Sequence, residues 1–184
     1  MNGDTGSPEF LAQIKHSAAE IMRLMGEADA EANKIAAKLN DLNSRPPRNR
    51  TEAVRSADEF APSCDIYAKA LESIIPHFAE NIAALTDAYS GYINSLDLET
   101  EEGRGELGAI NERLSGMIAS YRSTAGKAKT MRDDFQRTAQ MNHTPRLTHS
   151  AHNLVGVIDK LSSVFEEMET FGLKTLFLTE EKKG

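Results

Sequence analysis

At 184 residues with 40% hydrophobic content, the chain is long enough for one folded domain and too apolar for a disordered one. Its formal charge of −7 argues against a general binder of nucleic acid or anionic membranes, and its single cysteine, Cys64, rules out an internal disulfide. No apolar run approaches the roughly 20 residues that span a bilayer, so no direct membrane insertion by this segment is expected.

Gly6-Ser7 and Glu9-Phe10 are the dipeptides that two common cloning sites encode in frame, so residues 1–10 read as a vector-derived tail. Without Asp4 and Glu9 the charge of −7 becomes −5. The natural segment is then expected over 11–184, as a single domain from a larger protein.

From Leu11 onward, apolar residues recur at steps of three or four, the period of near-parallel helices packed side by side. Leu11, Ile14, Ala18, Ile21, Met25, Ala28, Ala32, Ile35, Leu39 and Leu42 predict a first helix over about 11–43, ended by Ser44-Arg45-Pro46-Pro47. The same spacing from Val54 to Leu96 predicts a second over 52–96. Thr51 is its expected cap, and Pro62 and Pro76 should kink it or, at Pro62, restart it. A polar turn follows over 97–105. Leu107, Ile110, Leu114, Tyr121, Phe135 and Thr138 then mark a third helix, over 105–141. Thr144 as cap and Pro145 at the first helical position open a fourth over 146–177, with Leu147, Leu154, Val157, Leu161 and Met168 on its seam.

Met22, Leu24, Ile74, Ile93, Ile118, Ile158 and Phe165 flank these seams and make the stripe wider than a two-stranded coil requires. The expected fold is therefore all-α, a long antiparallel up-down-up-down four-helix bundle with coiled-coil-like packing and crossings near 20°. Such a rod would be roughly 50 to 65 Å long at about 1.5 Å per residue.

Nothing in this pattern spells out catalysis. A Walker loop, a Gly-x-Ser-x-Gly, a His-Glu-x-x-His and paired cysteines are all missing, and His77-x-x-Glu80 is a single pair on an outward face. No catalytic residue, metal or cofactor is expected. Cys64, Tyr89 and Tyr92 lie on the seam and read as core. Ala151-His152-Asn153-Leu154-Val155-Gly156 resembles the His-x-x-Lys-Gly region of histidine phosphotransfer domains, which are also four-helix bundles. Val155 stands where that family has a phosphate-holding lysine, so the resemblance stops at those six residues.

Alternating helix directions would bring the first and third connections to one end, where Arg45, Arg48, Arg50, Arg55, His143, Arg146 and His149 would gather with the N-termini of the second and fourth helices. Asp97, Glu99, Glu101, Glu102 and Glu106 would collect at the other end. The basic group is the candidate site for a small anion or an acidic partner. The function expected is a non-enzymatic interaction, scaffold or regulatory module, cytoplasmic, with a protein partner or self-association. The alternative is a ligand-sensing ectodomain, periplasmic or extracellular, since the overall shape is similar to the four-helix sensor bundles of bacterial chemoreceptors.

Overall fold

The computed structural model describes residues 8–142 and 144–182. Four helices account for nearly all of them: α1 (Pro8–Ser44), α2 (Arg50–Ser95), α3 (Glu101–Asn142) and α4 (Pro145–Glu181). The fold is all-α, and there is no strand among the described residues. The chain divides into two compact units, one of Met1–Arg23, Phe78–Ala125 and Val164–Gly184, the other of Leu24–His77 and Gly126–Ser163. Each draws on all four helices.

Side chains account for where the helices begin. Asn49 Oδ1 accepts the Glu52 amide at 2.9 Å, and the Glu52 carboxylate accepts the Arg48 amide at 2.8 Å. One amide that α2 leaves free, that of Glu52, and the Arg48 amide just before the helix are thereby satisfied. Asn49, not the expected Thr51, is the cap. Thr144 does cap α4 as expected, its Oγ1 accepting from Leu147 N at 3.2 Å with Pro145 following it. Helix α3 starts four residues before the expected position, because Thr100 Oγ1 accepts from Gly103 N at 3.0 Å. Glycine is required there: a Cβ on Gly103 would lie 2.7 Å from the carbonyl carbon of Asp97 and closer still to its oxygen. Pro62 does not restart α2, which runs unbroken through Pro62 and Pro76.

In the unit built around Phe78–Ala125, Ile21, Leu85, Ile93, Leu107, Leu114 and Phe165 are almost fully buried. Phe78 meets Phe165 edge to face at 5.6 Å, Tyr89 lies 6.3 Å from Phe171, and Tyr92 donates to Glu106 at 2.9 Å. Arg122 pairs with Glu169 at 2.6 Å, and the Thr179 hydroxyl bonds Asn111. Gly172 lets α4 approach α3, since a Cβ there would stand 2.6 Å from Ile118 Cγ1.

The other unit has a small-residue seam on α2, with Ala57, Ala61, Cys64 and Ala68 sealed from solvent. Phe60 stacks on Phe135 at 6.4 Å, and the Tyr67 hydroxyl contacts Met131 Sδ at 3.4 Å. Lys38 donates to Ser63 at 3.0 Å, and Arg132 reaches Asp159 at 3.2 Å.

The spacing identified the buried face with two exceptions. Met22 is 73% exposed and Val54 is 42% exposed, although both were expected on or beside the seam. Met22 falls just past Ile21 on the outer side of the stripe. Val54 belongs to the first turns of α2, where Ala57 is the first residue fully covered.

Candidate functional site

Of the seven residues singled out at the connections, the six described ones all belong to the unit of Leu24–His77 and Gly126–Ser163. Arg45, Arg48, Arg50 and Arg55 span the connection from α1 to α2 and the start of α2, while Arg146 and His149 occupy the first turns of α4. His143 lies outside the described residues. The six described ones are all exposed.

Their partners divide them into two groups. Arg45 is paired with Asp41 at 2.9 Å one turn back on α1, and Arg55 sits 3.8 Å from Glu59 one turn ahead on α2. Arg48 uses its backbone amide to close the cap with Glu52. The guanidinium groups of Arg48, Arg50 and Arg146 have no acidic partner among the described residues. Arg23, Arg122, Arg132 and Arg137, in contrast, are each held by a carboxylate. Arg50 and Arg146 also stand in the first turns of their helices, where unpaired amides already favour an anion.

Comparison with family models, with curated proteins and with solved structures finds no match to this chain. What the chain can bind has therefore to be argued from its own side chains.

The same unit carries a cleft of about 450 Å³ between α1 and α2 that the periodicity gave no sign of. Its walls include Lys38, Asp41 and Arg45 from α1 and Glu59 from α2, and its floor includes Leu42 and Phe60. A second, mostly apolar groove of about 360 Å³ runs between α3 and α4, lined by Ala139, Ala151, His152 and Val155. His152, the residue of the phosphotransfer resemblance, is at its exposed rim.

The buried thiol and phenols are held in their protonated forms. Burial, reinforced by Asp65, pushes the Cys64 thiol up to about 12, so it carries almost no thiolate near neutrality. Tyr92 is raised to about 12 by burial and by its hydrogen bond to Glu106, and burial likewise raises Tyr67, Tyr89 and Tyr121. Among the described residues no group of three or more His, Cys, Asp or Glu side chains could hold a metal ion.

Proposed function

We propose that this chain is a non-enzymatic helical interaction module in which an antiparallel up-down-up-down bundle, packed like a coiled coil, presents basic connections to an anionic group on a partner. The topology is supported by how contact positions change along the helices. In one unit Asn111 meets Thr179, Ile118 meets Gly172 and Arg122 meets Glu169, so α4 numbers fall as α3 numbers rise. In the other, Phe60 meets Phe135 and Tyr67 meets Met131, the same inverse order between α2 and α3. Connections of two to five residues suit neighbouring helices of opposite direction.

The observation that carries the functional reading is the grouping of Arg48, Arg50 and Arg146, exposed and without a carboxylate partner, at the first connection and the starts of α2 and α4. Arg23, Arg122, Arg132 and Arg137 are tied to carboxylates, Arg104 donates to backbone carbonyls, and Arg113 on α3 also lacks an acidic partner among the described residues. In the antiparallel bundle, the connection bearing Arg48 and Arg50 and the start of α4 share an end. A phosphate or carboxylate there would meet several cations and two helix N-termini.

The test is a thermal-shift titration with inorganic phosphate at constant ionic strength, which separates a site from general screening. Saturable stabilisation is expected, reaching about 2.7 kcal/mol at a hundredfold excess over Kd, and it should vanish in Arg48→Glu/Arg146→Glu. A shift that never saturates, or that survives both substitutions, returns these arginines to the role of solvated loop residues.

A further inference from the structure

The cleft between α1 and α2 differs from the basic connections in carrying both signs of charge. Arg45 and Asp41 form a 2.9 Å pair on its α1 wall, and Glu59, 3.8 Å from Arg55 one turn back, lines the cleft from α2. Because only residues 45–49 join the two helices, the Arg45 end of the cleft is also the end nearer the start of α2. The charged cluster therefore occupies that end. Leu42, between Asp41 and Arg45, and Phe60, next to Glu59, lie level with these charges and supply apolar surface, and Lys38, bonded to Ser63 at 3.0 Å, bridges the two helices at the other end.

A simple anion gains little from such a place, since Asp41 and Glu59 offset Arg45 and Lys38. A simple cation is opposed by Arg45 for the same reason. A molecule carrying a carboxylate and an ammonium on one carbon, with an apolar side chain attached, satisfies every part at once. Its carboxylate takes the two-pronged guanidinium of Arg45, and its ammonium takes Asp41 and Glu59. Its side chain then lies over the half-buried Leu42 and displaces water from it. The volume of about 450 Å³ falls within the span of small-molecule sites, roughly 300–1,000 Å³.

We infer that the α1–α2 cleft is a binding site for a free amino acid with an apolar side chain, held through Arg45, Asp41 and Glu59. The site is distinct from the anion site at the connections, and it stands whether or not that site binds phosphate.

The experiment is a nitrogen-15 amide-shift titration of the full chain with leucine, N-acetyl-leucine and leucine amide at constant ionic strength. Leucine should produce saturable shifts confined to amides around 37–45 and 56–63. Blocking either charged group should weaken binding by roughly tenfold or more, the scale of one charged hydrogen bond. Arg45→Ala and Asp41→Asn should each have a similar effect, and both change exposed side chains, so helix content serves as the check that folding is intact. Arg45→Lys should recover only part of the affinity, because an ammonium lacks the planar fork. Arg48→Glu/Arg146→Glu should leave leucine binding unchanged, which separates this site from the phosphate site. Equal binding of N-acetyl-leucine, saturable shifts elsewhere on the chain, or none at all would overturn the inference.

Discussion

At the start of α2, two residues compete for one role. Asn49 and Thr51 are both residue types that can cap a helix, and the spacing, which pointed to Thr51, does not say whether Arg50 lies inside or outside it. The hydrogen bonds decide for Asn49, with Glu52 reaching back as the reciprocal partner. Replacing Asn49 by Ala should lower stability by about 1 kcal/mol in urea unfolding, while Thr51→Ala should change it by less than about 0.5 kcal/mol. Equal losses would return the cap to Thr51. The glycines of α3 offer a second contrast. Gly105 has open space where a Cβ would stand, so Gly105→Ala should raise stability by up to about 1 kcal/mol through helix propensity alone. Gly103 faces the carbonyl of Asp97, so Gly103→Ala should lower stability by roughly 1–3 kcal/mol despite the same gain in propensity. If both substitutions stabilise, the chain before α3 yields more readily than this contact implies.

On the scale of whole helices, burial outranks local preference. Two prolines inside α2 each remove an amide donor, yet the helix continues because Phe60, Ala61 and Cys64 beside Pro62, and Phe78 just after Pro76, are buried against other helices. Phe78→Ala should cost about 3–5 kcal/mol, the usual loss for a buried aromatic ring, whereas Met22→Ala should stay within about 0.5 kcal/mol of the parent. Comparable losses at the two positions would mean that Met22 is covered in solution. This contrast also marks what could be read from the sequence. The spacing identified Ile21, Leu71, Phe78, Leu107, Leu114 and Leu154 as core, because the helical period alone puts them on one face. It misplaced Met22 and Val54, since the width of a buried stripe depends on which neighbours cover it. The exposed arginines were legible as residues of the connections, and the Asp41–Arg45 pair is a one-turn spacing visible in the chain. The cleft was not legible: Lys38, Asp41 and Glu59 look like ordinary surface charges until α1 is set against α2, and no local pattern encodes that pairing.

For the molecule as a whole, alkaline pH is the condition that tests its burial pattern most directly. All four tyrosines, Tyr67, Tyr89, Tyr92 and Tyr121, are buried, as is Cys64, so ionisable hydroxyls and a thiol lie in the cores of both units. Each group is harder to ionise in the folded chain, chiefly because burial disfavours the charged form; Cys64 moves from 9.0 to about 12 and Tyr92 from 10.0 to about 12. In the unfolded chain the same groups lose protons near their ordinary values. The unfolded state therefore binds fewer protons above pH 9.0, and stability must fall as pH rises. The contribution is fully present below 9.0 for the thiol and below 10.0 for the phenols, and it is lost as pH climbs through the folded-state values. Urea midpoints should thus decline from about pH 9 upward, and tyrosinate absorbance should appear together with the loss of helical circular dichroism. Because lysines also lose charge in this range, Tyr121→Phe supplies the control: it removes one buried phenol, leaves the lysines alone, and should flatten the decline. Tyrosinate absorbance rising near 10.0 with helix content intact would show that these rings meet water in the folded chain, and the packing of the tyrosine-bearing seams would then have to be redrawn.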